Sequence, residues 1–550
     1  MFVSHQWAGS QHPDPSFKQF KVLQKALRNM AKAPVVSANI GLELYANTQP
    51  HDAGDLSKAI FIWYDYFSIP QADPTSRGLA ISSIPSYVRR CRFFVILCPH
   101  IYHHEQRTLL NKATWKSRGW CRLEQAAWAL SASAEEEEVC PIEIQSSTQQ
   151  ALVDSWDWTR APVGDGQFSL ASDRGKLAPV FEGMLRRKLN FHLARGELHD
   201  YRILLNSQRI HLRGLPIDRI VDVVPGFQCD FQDPAAYDLA LFMHLNGFQE
   251  VTERTAEGWT PICFAALDGS PMLIASLLEH GADMNDVILK EDPLYHFMPR
   301  TGVPHMCAFL GHNEALRLLI ECKADLARKD SINATPMHWA AIGSNLDGID
   351  ILLNAGCSCL EPNLLGHSPF ELTCMSGSTG CMRELLPYVT KRTISLGLHA
   401  TFIHGGSSAP MVKALIEANA DVNHQQDVPF FSVLGVIFAA LSMKHRLNLS
   451  QNSMLSNYAY HQYDATPLMC SILSGCFEAT LVLLAAGART DLQNARGQTA
   501  EDFAKDVVAP DHIVSALVEA TGSPPLGENC IREDWWNETM IRPTLSCRSQ

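Results

Sequence analysis

The sequence predicts a multidomain chain. An N-terminal α/β domain, a parallel sheet with flanking helices, precedes a C-terminal all-α repeat solenoid. Three observations lead there. Apolar runs alternate with helix-periodic segments over residues 1–131. Apolar pairs recur in the second half, starting at residues 277, 318, 352, 385, 415, 483 and 517, with gaps that centre on 33–34. The 550 residues also exceed one compact core, because single domains seldom pass about 250–300 residues.

Composition narrows the function classes. Lys+Arg 45 against Asp+Glu 58 gives a formal net charge of −13, which argues against nucleic-acid partners, since these need clustered Lys and Arg. No run reaches the roughly 18 apolar residues of a membrane span. The nearest, Pro429–Met443, reads as a buried helix. The 16 cysteines are scattered without a CxxC pair, and the tightest spacing is Cys357-Ser358-Cys359. That suits neither a metal site nor a disulfide scaffold, so free thiols in a reducing, cytoplasmic setting are expected. No signal peptide is expected. Met1–Ser4 already reads as strand, which points to a natural N-terminus further upstream.

In chain order, Met1–Ser4 is a short strand that runs into His5-Gln6-Trp7. Ser16–Ala31 has helical periodicity, with Phe17, Phe20, Leu23 and Leu27 on one face. Ile60–Tyr64 is a continuous apolar run, expected as a strand covered on both sides and ending at Asp65. Gly78–Cys91 reads as helix despite Pro85, and Phe93–Cys98 as a buried strand stopped by Pro99. Gly119–Leu130 reads as a helix after a long polar loop. Open α/β sheets bind ligands at the carboxyl ends of their strands, here Ser4–Trp7, Asp65–Gln71 and Cys98–His100.

Glu124 stands out in the last helix. At about 100° per residue it falls inside the apolar arc of Leu123, Ala127, Leu130, Trp120 and Trp128, with Arg122, Gln125 and Ala129 opposite. A carboxylate in an apolar stripe is costly unless paired or functional. It is therefore either a structural partner of a nearby Arg or a catalytic group.

Three motifs carry a resemblance. They are Phe2-Val3-Ser4-His5-Gln6-Trp7, the run Ile62-Trp63-Tyr64-Asp65 through Pro70-Gln71, and Arg118-Gly119-Trp120-Cys121-Arg122-Leu123-Glu124. Together they resemble the Toll/interleukin-receptor (TIR) superfamily and its heterokaryon-incompatibility (HET) relatives. The resemblance implies that Glu124 would be the catalytic carboxylate that cleaves the nicotinamide–ribose bond of NAD, holding the ribose hydroxyls. It places His5, Trp7, Asp65 and Trp120 where a nucleotide could stack or hydrogen-bond. It also implies self-association of the N-terminal domain, because many TIR domains act as adaptors without activity. The loop after Asp65 lacks the TIR Gly-rich segment, and the loop Pro99–Lys116 is longer than usual.

The acidic run Glu135–Glu138 reads as a linker, Asp154–Gly166 as loop and Lys176–Leu193 as a basic helix. Arg202–Leu215 is expected to pack on the first repeat. The clearest repeats open at Gly258-Trp259-Thr260-Pro261, Asn333-Ala334-Thr335-Pro336 and Asp464-Ala465-Thr466-Pro467. Thr should cap each first helix with Pro at its first position, and Gly after the second helix should supply the left-handed cap. These units resemble the ankyrin repeat over about residues 251–522. That resemblance implies a protein partner on the concave face. His305, His338 and Trp339 are read as buried or stacking residues of first helices.

The expected layout is 1–134 as the TIR/HET-like domain, 135–250 as linker and helical extension, and 251–424 as ankyrin repeats. Residues 425–463 form an insertion, 464–522 further repeats and a cap, and 523–550 a tail with Trp535 and Trp536. The reading is an intracellular signalling and interaction protein that needs no cofactor. The alternative is an NAD glycohydrolase with NAD as substrate, restrained by the array. An enclosed cleft around Glu124 would favour the alternative, and a filled surface the first reading.

Overall fold

The computed structural model describes residues 1–32, 35–38, 43–44, 51–52, 60–131, 140–153, 156–403, 409–428, 432–447 and 453–521. The run Glu135–Glu138 and the tail 523–550 lie outside the described residues. Packing divides the chain into two compact units, Met1–Ala38 with Ala46–Ser358, and Asn39–Tyr45 with Cys359–Gln550.

The first unit opens with a mixed seven-stranded sheet. Its strands are β1 (Phe2–His5), β2 (Val35–Ala38), β3 (His51–Asp52), β4 (Trp63–Tyr64), β5 (Phe93–Leu97), β8 (Cys140–Ile144) and β9 (Gln150–Leu152). They lie in the order β3-β2-β9-β8-β5-β1-β4. Strand β1 runs parallel to both β4 and β5, so the three carboxyl ends share one edge. Every residue of β1 and β5 is buried, as the Phe-Phe-Val-Ile-Leu run of β5 requires of a central parallel strand, and in β1 Ser4 and His5 are buried along with Phe2 and Val3. The helix Lys18–Lys32 covers one face through Leu23, Ala26 and Met30. The helix Gly119–Ser131 covers the other, where Trp128 stacks on Phe94 at 6.0 Å.

Four expectations change here. Ile60–Tyr64 is not covered on both sides. Only Trp63–Tyr64 pair, β4 is an edge strand, and Phe61 is 91% exposed. Gly78–Cys91 is two helices, Pro74–Ser82 and Ile84–Arg89, because Pro85 suits the first turn of a helix and not its interior. The long polar loop folds into the hairpin β6 (Ile101–Tyr102) and β7 (Leu109–Leu110), then the helix Lys112–Ser117. The sheet also takes in β8 and β9, beyond residue 134.

The extension continues this unit. The long helix Asp173–Arg195 packs Leu177, Phe181, Met184 and Leu185 into one core with Trp128 and Leu130. Arg186, on its basic face, pairs with Glu182 and Asp222. Arg202 then stacks over Phe248 at 4.3 Å and Phe264 at 6.0 Å, joining the extension to the first helix pair of the solenoid.

That pair is Pro261–Asp268 and Pro271–Glu279. The next two are Val303–Leu310 with Asn313–Glu321 and Pro336–Ile342 with Leu346–Asn354. Proline stands at the first or second position of each of these first helices, but Thr260 does not cap. Its hydroxyl donates instead to Asp286 at 2.7 Å. The 41-residue gap has a structural cause. An extra loop bridges Val287 to Gly302 and Asp292 to Phe297, and buries Phe297 between Phe309 and Trp339 at 5.6 and 5.3 Å. His305 is buried and bonds the Arg328 carbonyl, as a structural histidine does.

The second unit holds Pro369–Ser376 with Thr379–Leu385, Lys391–Ala400 with Ala409–Glu417, Pro467–Leu473 with Phe477–Ala485, and Ala500–Asp506 with Asp511–Thr521. The 68-residue gap contains a further pair, Val433–Arg446 and Met454–His461. Hydrogen bonds Gln426 N to Ala465 O at 2.9 Å and Arg489 N to Asn423 Oδ1 at 2.8 Å close the solenoid across it. Residues 429–431 of the run Pro429–Met443 lie outside the described residues, and the rest belongs to a helix that is only half-buried, with Leu434 and Phe438 inside. That helix, Val433–Arg446, exposes Val436 and Met443.

Candidate functional site

The shared carboxyl edge of β1 and β4 gathers most of the candidate residues. His5 ends β1, and Asp65 follows β4 directly. Parallel pairing in register sets these ends side by side. His5 Nε2 lies 2.7 Å from Asp65 Oδ1, and Trp7 Nε1 donates to Asp65 Oδ2 at 2.8 Å. The His5 ring stacks on Tyr64 at 4.0 Å, and its Nδ1 lies 3.3 Å from the Tyr64 hydroxyl.

This geometry favours the charged forms of the pair. Burial of the His5 ring opposes its cation, but Asp65 outweighs burial and raises the imidazole above 6.5. Burial likewise opposes the Asp65 carboxylate. The His5 charge and the hydrogen bonds from His5, Trp7 and Tyr66 outweigh it and hold the group below 3.8. Each group stabilises the charged form of the other.

Glu124 approaches from the helix Gly119–Ser131. Burial of its carboxyl pushes it from 4.5 up to about 8, and the Asp65 charge adds to that. The Ser4 hydroxyl, His5 and Arg118 act in the opposite direction. Part of the residue remains open to solvent. The helix is held against the sheet by Cys121, whose thiol reaches the His5 carbonyl at 3.8 Å. The arrangement is a carboxylic acid largely neutral at pH 7 beside a His–Asp pair in which each partner favours the charged form of the other.

The structure therefore brings together His5, Trp7, Asp65 and Glu124. Trp120 points elsewhere and donates to Asp173 on the long helix at 3.1 Å. The face opposite the apolar arc is itself engaged by protein. Gln125 is buried, and Arg122 donates to the carbonyls of Lys116 and Pro162. Contacts with the extension thus partly cover the face opposite the apolar arc. Ser4 lies in the strand end Ser4–Trp7 already singled out, whereas Tyr64 and Cys121 were missed as site residues. Lys112 and buried Glu143, 2.7 Å apart, were missed too, because they pair only once β8 joins β5. His192, Glu197 and Asp200 bring ligand atoms within 4.8 Å of one another. Arg195 Nε already occupies Glu197 Oε1 at 2.7 Å, as in an ion-pair network.

Comparison with known proteins bears on the solenoid. The family described as ankyrin repeats (three copies) matches residues 304–394. ZDHHC13 of Danio rerio is 25% identical over 212 residues, 36% of this chain and 32% of that protein. Neurogenic locus notch homolog protein 1 of Mus musculus is 25% identical over 195 residues, 33% of this chain and 8% of that protein. NF-kappa-B inhibitor alpha of Homo sapiens is 25% identical over 171 residues, 28% of this chain and 53% of that protein. The chain thus spans from less than a tenth to about half of these relatives. The crystal structure of the human ASB11 ankyrin repeat domain aligns with a TM-score of 0.36 and 22% identity, over 48% of this chain and 100% of that one. This chain carries ankyrin repeats, a class of domain that binds proteins. No helix among the described residues is long and apolar enough to cross a membrane.

Proposed function

We propose that this chain is a cytoplasmic signalling and interaction protein, in which the ankyrin array binds a protein partner on its concave face and a TIR/HET-like N-terminal domain acts as effector. The observation that carries the reading is the ankyrin match at residues 304–394, with helix pairs continuing on both sides of it. The N-terminal part of the reading draws support from the parallel strands β1, β4 and β5 and from the residues gathered at their ends. Self-association of that domain belongs to the same proposal.

The turn at Asn363–His367 exposes Leu364, 43% open to solvent, as a contact at a repeat tip. Leu364→Glu is expected to lower capture of the cognate partner by full-length protein at least about tenfold, a common cost of charging an interface position. Unchanged capture with an intact circular dichroism spectrum would remove the tip from the binding surface.

A second reading is favoured by Glu124 beside the His5–Asp65 pair. In it the domain cleaves NAD. Glu124 would hold the ribose hydroxyls and, once ionised, stabilise the oxocarbenium-like transition state. Activity should then rise with pH toward about 8, where Glu124 ionises. Nicotinamide release by full-length protein at high concentration, lost in Glu124→Gln, would establish this reading. Equal silence from both proteins would leave the interaction reading alone.

A further inference from the structure

The insertion helix Val433–Arg446 has two apolar faces. Leu434, Gly435 and Phe438 are buried, and the helix packs on Met454–His461. Val433, Val436, Met443 and, just past the helix end, Leu447 are 43, 56, 60 and 57% exposed. Ala440 between them is exposed too. At about 100° per residue these five positions fall within an arc of about 80°. Their steps are 3, 4, 3 and 4 residues, the alternation of a helix–helix seam. A single exposed Val or Leu needs no account, but a continuous apolar stripe along one helix does.

The stripe is symmetrical about its smallest residue. Ala440 is central, Val436 and Met443 flank it, and Val433 and Leu447 close the ends. An antiparallel copy crossing at Ala440 sets Ala440 on the partner's Ala440, Val436 on the partner's Met443 and Val433 on the partner's Leu447. The small central side chain permits close approach, and the larger ones fill the diverging ends. This is the self-complementarity that a two-fold interface requires. Charge selects the same orientation. Lys444, His445 and Arg446 crowd one end of a segment that holds no acidic residue. A parallel pair would stack these basic ends, whereas an antiparallel pair puts them at opposite ends, each near uncharged side chains.

We propose that this stripe is the docking site for the same helix of a second copy of the chain. The seam is about 21 Å long at 1.5 Å per residue. It therefore buries less than the roughly 1,200 Å² of a stable interface, and the dimer is weak and reversible.

Sedimentation of the full-length chain across the micromolar range tests this. The expected result is a monomer–dimer equilibrium. Val436→Lys should raise the concentration needed for dimer at least about tenfold, with unchanged circular dichroism. A photo-cross-linking residue at position 440 should link two chains through residues 436–444. A monomer at every concentration overturns the proposal, as does a dimer indifferent to Val436→Lys, which would assemble through another surface. Links within one chain to residues beyond 521 would show that the tail occupies the stripe, and would overturn it equally.

Discussion

Glu124 binds a proton more tightly in the folded chain than in the unfolded one, about 8 against 4.5. Between those values the native state holds a proton that the unfolded state has released, so stability must fall as pH rises from about 4.5 to about 8. Above about 8 both states are ionised and the penalty is constant. Glu124→Gln removes the titration and keeps the shape. It should flatten that decline and leave the variant more stable than wild type at pH 8, by about 2–4 kcal/mol once solvent at the partly open residue is allowed for. Urea unfolding of both proteins at pH 5 and pH 8 measures this. Parallel pH profiles would show that Glu124 is not held neutral by burial. The anomaly itself was legible in the sequence, because a Glu in an apolar arc announces a cost. Its neighbours were not all legible. The position of Trp120 on the wheel does not reveal that Asp173, 53 residues away in the chain, offers its indole a partner.

At the scale of elements, the start of the Glu124 helix is pinned from outside the domain that the sequence outlines. Gly119 N donates to Gln167 O at 3.0 Å, and Gln167 N donates to Ser117 O at 2.7 Å. A Cβ at Gly119 would overlap the Phe168 ring. Gly119→Ala should therefore cost about 1–3 kcal/mol through overpacking. Because Glu124 lies little more than a turn further on, the same change should shift its titration. Thermal unfolding together with infrared detection of the carboxyl would read both effects. Wild-type stability in Gly119→Ala would mean that the 163–168 segment moves aside freely. Strand β5 was readable from its Phe-Phe-Val-Ile-Leu run, although the similar run Ile60–Tyr64 gives only the short edge strand β4. Strands β8 and β9 were not, since Cys140-Pro141-Ile142-Glu143-Ile144 mixes Pro and Glu into the run. Those residues become strand only through pairing with β5. The repeats were readable from the recurring apolar pairs, such as those starting at residues 318 and 415, because helix pairs stack at a near-fixed period.

Across the first unit, a chain of contacts runs from this helix to the first ankyrin repeat. The 163–165 turn packs on Arg213 and Gly214, and Arg213 pairs with Asp165 at 2.6 Å. Arg209 and Arg219, from the same stretch of the extension, reach Asp268 at 3.4 and 2.8 Å. Asp268 ends the first repeat's first helix and is wholly buried. A buried carboxylate deprived of its cation is costly, whereas its neutral amide analogue is not. Arg219→Ala should thus destabilise the wild-type chain by about 1–3 kcal/mol, the remaining Arg209 and the partial exposure of both arginines limiting the loss. In an Asp268→Asn background the same substitution should cost almost nothing. Urea unfolding of the four proteins measures that coupling. Equal costs in both backgrounds would mean that the ion pair does not join extension to repeat. A coupling of the expected size would show that the extension and the first repeat unfold together, so that strain entering at either is felt by the other within the first unit.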